Sequence, residues 1–189
     1  MIMVGNDKGE KRLIHEGEYE DVYEMDDHFY LSFKKDRVVV LPYTIDSKGL
    51  LDKIGIVEDW NKVENEKVLT LISDYISTDD ATDMVAANRV LFDVIGTNMR
   101  DALDWMYLGS LYNKMSTDST VKLYAVDITD AEIKNQEAML EDGQDRKFRM
   151  LSSERVLQTD DMLFLASFLR LFNYFYVSSL SDKANQKEE

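Results

Sequence analysis

The sequence predicts an α+β fold, an α/β/α sandwich-like arrangement in which a mixed β-sheet is flanked by helices. Three observations carry this. Residues 37–43 (RVVVLPY) are a β-branched run suited to a strand buried on both faces. Residues from about 80 to 95 place Met84, Ala87, Leu91 and Val94 on one stripe at helical spacing, with Asp83, Asn88 and Arg89 facing elsewhere. Residues from about 160 to 180 place Leu163, Phe164, Phe168, Leu171, Phe172 and Phe175 at the same spacing.

The elements follow in chain order. Residues 1–12 carry little apolar periodicity and residues 181–189 are polar, so both ends read as mobile. The expected organisation is an N-terminal segment over 1–18, a single domain over 19–180 and a polar tail over 181–189. From Tyr19 onward Phe29, Leu31 and Phe33 alternate on one face behind an Asp26-Asp27-His28 turn, which predicts an N-terminal hairpin. A Ser47-Lys48-Gly49 turn leads into strands over 51–58 (LDKIGIVE) and 68–72 (VLTLI). Thr78, Asp79 and Asp80 offer N-cap oxygens to the first long helix, and Gly96 can take the left-handed conformation that ends it. Strands over 105–112 (WMYLGSLY) and 121–128 (VKLYAVDI) flank a polar turn at 116–119. Residues 129–144 read as an acidic loop with a helical turn, 147–151 as a last strand, and Thr159 and Asp160 as caps of the final helix. Its aromatic stripe is assigned to core packing. No internal repeat or low-complexity tract is present.

Bulk composition limits the chemistry. The 189 residues hold no cysteine and two histidines, His15 and His28, which excludes thiolate sites and cysteine nucleophiles and leaves too few histidines for a histidine-built metal centre. Both histidines are expected at the surface. The net charge of −15 opposes phosphate backbones and anionic lipid, so neither nucleic acid nor membrane is expected as a partner. No apolar run reaches the length of a membrane span, and residues 1–10 lack the basic start and apolar core of a signal peptide, giving a cytoplasmic or otherwise intracellular expectation. GxSxG, GxxxxGK[ST] and HExxH patterns are absent.

The order of strands, capped helix, two strands, acidic loop and final helix resembles a Nudix hydrolase, most nearly the ADP-ribose pyrophosphatase branch, over residues 37–180. The family's box is G-x5-E-x7-R-E-U-x-E-E-x-G-U, with U aliphatic. Residues 70–98 (TLISDYISTDDATDMVAANRVLFDVIGTN) match its frame when anchored on Gly96, which places the box arginine on Arg89. The stretches WMYLGSLY and STDSTVKLYA resemble the two strands that follow the box. The resemblance implies that carboxylates one, four and five residues beyond the arginine hold Mg²⁺ or Mn²⁺; those positions are Val90, Asp93 and Val94. Valine offers no oxygen to a hard cation. The opening glycine falls on Tyr75, or on Asp74 with one extra loop residue, and the first glutamate on Ala81, or on Asp80 under the same shift. The resemblance implies that this acidic residue braces the loop by pairing with the arginine, so an Asp80–Arg89 pair is expected, with Asp93 as a second partner at i, i+4. It further implies a general base in the acidic loop, where Glu132, Glu137 and Glu141 lie, and dimerisation through the N-terminal hairpin.

The resulting functional expectation is a non-catalytic Nudix-like domain without a resident metal, acting as a protein-interaction or structural subunit, with a protein partner or a second copy of itself. An acidic, cysteine-free chain suits a phage or bacterial particle, which extends the expected location to a virion. The alternative is a metal-dependent hydrolase of ADP-ribose or a related nucleoside diphosphate compound, with Mg²⁺ held by Asp93, Asp80 and an acidic loop residue and with Glu137 or Glu141 as the loop base. A third reading, binding of a nucleotide-like ligand without turnover, would use stacking on Tyr43, Trp60, Trp105 or Tyr107.

Overall fold

A computed structural model describes residues 12–185 apart from 19, 26–27, 62–64, 100–104, 113–118, 135–136, 140–144, 158 and 160. Its described elements are strands β1 (Arg12–Glu16), β2 (Glu20–Met25), β3 (His28–Phe33), β4 (Arg37–Ile45), β5 (Leu51–Asn61), β6 (Glu66–Thr70) and β7 (Ile72–Tyr75), helix α1 (Asp83–Ile95), strands β8 (Trp105–Tyr112), β9 (Thr120–Asp127), β10 (Glu137–Met139) and β11 (Asp145–Ser152), and helices α2 (Ser153–Val156) and α3 (Met162–Asn185). The mixed sheet flanked by helices is the expected α+β arrangement.

The principal sheet runs β10-β11-β5-β4-β9-β8, with β6 added to β5 and β7 to β4. Its centre is β4, which pairs in parallel with β9 from Arg37 to Tyr43. On the other edge of β4 the partner changes. Residues Arg37 to Val40 pair with β7, while Tyr43 to Ile45 pair with β5. The chain therefore leaves β5 after β6 and crosses to β4 as β7, with buried Leu71 at the crossing. This is why the single strand expected over 68–72 is two strands.

Alternation along β4 divides the interior into two cores, because successive side chains of a strand point to opposite faces. Val38 and Val40 join Tyr124 and Val126 of β9 beneath α1, whose buried residues are Ala86, Ala87, Val90, Leu91, Val94 and Ile95. Val39, Leu41 and Tyr43 join Leu123, Ala125, Ile54 and Ile56 beneath α2 and α3, which contribute Val156, Phe164, Phe168 and Leu171. Val38 to Leu41 are fully buried, as a strand covered on both faces requires.

Helix ends depart from the sequence expectation. Thr82, not residues 78–80, caps α1, its hydroxyl accepting from Val85 N at 3.2 Å; Gly96 ends the helix at φ 70°, as expected. Asp161 caps α3, accepting from Leu163 N at 2.8 Å and Phe164 N at 3.0 Å. Asp160 lies outside the described residues. Helix α3 extends to Asn185, into the stretch read as a polar tail, and Phe172, expected in the core, is 49% exposed. The acidic stretch 129–144 holds β10, which pairs with β11 through Glu137↔Lys147.

The first three strands form a separate antiparallel sheet, β1-β2-β3, containing the expected hairpin as β2–β3; its Asp26-Asp27 turn lies outside the described residues. Arg12–Glu16, within the stretch assigned to the N-terminal segment, forms β1 against β2. Lys34 ties the sheet together, reaching Asp21 at 3.0 Å, Glu16 at 3.3 Å and the Gly17 carbonyl at 2.8 Å. Although burial opposes it, Lys34 holds the Asp21 carboxyl below its ordinary range, with help from Gly17 and Tyr23.

At one edge of the principal sheet, β8 carries an irregularity between Tyr107 and Gly109, where Gly109 sits at φ 100°. Arg170 of α3 donates to the carbonyls of Leu108 and Ser110 at 3.0 and 3.3 Å. A Cβ on Gly109 would lie 2.9 Å from the Arg170 guanidinium, so glycine serves both the backbone angle and the approach.

Gly55 of β5 has a different constraint, since a Cβ there would stand 2.8 Å from the Phe148 ring and 3.1 Å from Pro42. Gly55→Ala is expected to destabilise the protein by about 1–3 kcal/mol through overpacking. Denaturant unfolding measures this, and Phe148→Leu in the same chain is expected to recover part of the loss.

Candidate functional site

The site expected from the sequence centres on Arg89, on the exposed-to-buried boundary of α1. The loop from β7 into α1 is folded around it. Ser77 N donates to Asp80 Oδ2 at 2.8 Å, closing a turn that presents the Asp80 carboxylate to the helix. Arg89 meets that carboxylate as a fork, with Nε to Oδ1 at 3.1 Å and Nη2 to Oδ2 at 2.9 Å. The same guanidinium donates to the Tyr75 carbonyl at 2.9 Å and to Asp74 Oδ2 at 2.9 Å. Tyr75 is in turn positioned by Arg37, whose guanidinium lies 5.3 Å from its ring centroid while Nη2 donates to Ser73 Oγ at 2.9 Å.

The expected Asp80–Arg89 pair is therefore present, and bidentate. Asp93, expected as a second partner, reaches Arg89 only at 3.9 Å; the close second carboxylate is Asp74. No helical spacing points to Asp74, since β7 and the loop bring it to Arg89 from 15 residues away. Hydrogen bonds from Arg89 hold the Asp80 carboxyl below its usual range, against partial burial and with help from Ser77 N. The same bonds from Asp80, with those from Asp74, raise the Arg89 guanidinium further. Partial burial raises the Asp93 carboxyl; Arg89 opposes this, and Asp74 and Asp80 add to it.

The positions that would hold a divalent cation do not fit one. Val90 and Val94 are each 4% exposed and belong to the core beneath α1, with Tyr124, Val126 and Phe148. Asp93 turns outward with its side chain 62% exposed, and Asp80 is 5% exposed with both carboxylate oxygens bonded to Arg89 or Ser77. Among the described residues, no three Asp, Glu or His side chains converge on a point where a cation could be bound. A hard cation needs several oxygens, and this helix face supplies packed methyl groups instead.

The remaining candidates are scattered. Glu137 lies in strand β10, not in a loop; Glu141 lies outside the described residues; Glu132 is exposed in the stretch after β9. His15 and His28 are exposed on the N-terminal sheet. Of the aromatic residues considered for stacking, Tyr43 is in the α3-side core with its ring edge-on to Phe175 at 5.4 Å. Trp105 packs on the α1 side, donating through Nε1 to the Met99 carbonyl at 2.5 Å. Tyr107, 51% exposed, rests on Tyr124 at 5.2 Å, and Trp60 stands on β5. Burial and the Asp83 carboxylate, which accepts its hydrogen bond, raise the Tyr124 phenol. Among the described residues, no helix is long and apolar enough to cross a membrane.

No family profile matches the sequence, and no curated protein matches it. Solved structures do match. A crystal structure of an ADP compounds hydrolase aligns over 92% of this chain and 97% of its own, with a TM-score of 0.61 at 11% identity. The NUDIX domain of Shewanella oneidensis NrtR, complexed with ADP ribose, aligns over 74% of this chain and 90% of its own, with a TM-score of 0.53 at 17% identity. The C-terminal domain of mouse MUTYH, in complex with human PCNA, aligns over 75% and 89%, with a TM-score of 0.52 at 12% identity. The architecture is that of the Nudix fold. Its likenesses within that fold include a hydrolase of ADP compounds and a domain seen with ADP ribose, in keeping with the sequence resemblance.

Removing the guanidinium would strand the nearly buried Asp80 carboxylate. Arg89→Met is expected to cost about 2–3 kcal/mol, measured by denaturant unfolding at neutral pH. The Asp80 contribution is complete above the unfolded carboxyl pKa of about 4 and is lost as pH falls through its lower folded value. Asp80→Asn is therefore expected to lower stability at pH 7 and to flatten its dependence on pH below about 4. Unchanged acid unfolding in that variant would show that Asp80 carries none of it.

Proposed function

We propose that this chain is a Nudix-fold module that works by binding a protein partner and does not hydrolyse nucleoside diphosphate compounds. The observation that carries the reading is the burial of Val90 and Val94 in the core beneath α1. Metal-assisted diphosphate hydrolysis needs cations that bridge the phosphates and activate water, and these need oxygens on that helix face. The hydrolase alternative would recruit Asp80 and Asp93. Engaging Asp80 in a metal site would break a bidentate pair, and Asp93 alone supplies too few oxygens.

A protein partner suits this reading better than a small nucleotide. Tyr43 is taken up in the α3-side core, Trp60 stands on β5, and Trp105 and Tyr107 on β8 both pack against Tyr124. The mouse MUTYH domain, of the same architecture, is seen in complex with a protein. A role as a subunit of a larger assembly, a phage or bacterial particle included, follows the same logic.

Isothermal titration with Mg²⁺ and then ADP-ribose, with release of ribose 5-phosphate followed in parallel, tests the proposal. No metal-dependent turnover is expected, and Asp93→Asn is expected to change nothing. Metal-dependent turnover that disappears in Asp93→Asn would establish the hydrolase instead.

A further inference from the structure

Helix α1 carries two apolar side chains on the side turned away from the sheet. Its inner side is set by the residues it buries, Ala86, Ala87, Val90, Leu91, Val94 and Ile95. At about 3.6 residues per turn, Val85 and Phe92 fall opposite these, and both are 46% exposed. They lie on one line of the helix, about 10 Å apart along its axis. The flank of this line is anionic. Arg89, between the two, is the only cation from residue 68 to residue 99, against Asp74, Asp79, Asp80, Asp83 and Asp93. Asp80 takes its guanidinium as a fork and Asp74 accepts from Nη1 at 2.9 Å. Asp93, next to Phe92, stands 3.9 Å from the same Nη1. The Asp74 side chain is 51% exposed and that of Asp93 62%. Three carboxylates thus share one guanidinium, and the excess negative charge lies on the two that face solvent. Where the segment after β9 crosses the end of α1, Asp130 and Glu132 outweigh Lys134.

Charge decides what can lie along this line. A second copy would set Asp74 and Asp93 against the same carboxylates, and nucleic acid or anionic lipid would meet the same repulsion. A basic segment gains at both ranges. The net charge of −15 steers it from a distance, and at contact a Lys or Arg beside Asp74 and Asp93 supplies the positive charge that Arg89 alone does not. Apolar residues of the same segment remove Val85 and Phe92 from water. On a helix, residues at i and i+7 have the matching separation of about 10 Å and share one face, with room for basic residues at its borders.

We propose that the outer face of α1 docks a basic amphipathic helix of a partner protein. Apolar residues of that helix cover Val85 and Phe92, and a Lys or Arg at its border takes Asp93 and Asp74. This names the partner chemistry of the binding module proposed above and rests on that reading.

Amide shifts of the nitrogen-15-labelled full-length protein, titrated with a synthetic helical peptide of leucine and lysine with leucines at i and i+7, test this. Shifts centred on Val85, Arg89, Phe92, Asp93 and Asp74 are expected, with binding weakened as salt is raised. Combining Val85→Ser with Phe92→Ser, both at the surface, is expected to cost about tenfold or more in affinity while the thermal midpoint is retained. Shifts centred on another surface, or none, would overturn the proposal, as would an undiminished affinity in the double variant. Equal binding of a peptide of serine and lysine would overturn it too, since charge alone would then be enough. The two readings fail separately: Mg²⁺-dependent turnover of ADP-ribose would sink the binding module, whereas absence of both turnover and α1 shifts would sink this surface alone.

Discussion

The fold depends on β4. Its residues Val38 to Leu41 have no solvent exposure, and their alternation supplies both cores at once. Parallel pairing with β9 fixes one edge, and the change from β7 to β5 on the other opens the sheet enough for the β6–β7 crossing. That crossing delivers Asp74 and Tyr75 to the end of β7, beside the helix that β4 supports. The Arg89 cluster is thus a consequence of how one strand divides its hydrogen bonds between two neighbours.

What was legible in the sequence follows the reach of each signal. Periodicity and β-branching are local, and they located β4, β8, β9, α1 and α3 together with the glycine that ends α1. Gly96 also set the frame that put Arg89 opposite Asp80, and that pair is present. Choices made by tertiary contact were not legible. Residues 68–72 look like one strand because nothing local marks Leu71 as the point where the pairing partner changes. β10 is three residues of an acidic stretch and forms because β11 offers it an edge. Thr82 caps α1 in place of residues 78–80 because the turn before the helix puts its oxygen at the first amides, and Asp161 does the same at the start of α3.

The inner face of α1 shows a trade between packing and chemistry. A Nudix-type metal site needs charged oxygens along a helix that also packs against the sheet, and those charges lose hydration in doing so. Valine at 90 and 94 removes that cost and adds branched methyl groups to the core. Arg89 remains paired at the margin, bracing the loop to the helix through Asp80, Asp74 and the Tyr75 carbonyl. An ion cluster of this kind can persist for architecture alone, because it holds a long loop in one conformation whether or not catalysis occurs beside it.

The contact between Arg170 and β8 bears on behaviour at high concentration. β8 is the outermost strand of the principal sheet, and an outermost strand offers spare carbonyls to any extended segment that drifts alongside. Arg170 donates to two carbonyls of this strand, and the left-handed Gly109 breaks the regular spacing a newcomer would need. At this margin a single guanidinium reaching across from the helix layer and one left-handed glycine both work against the addition of a further strand.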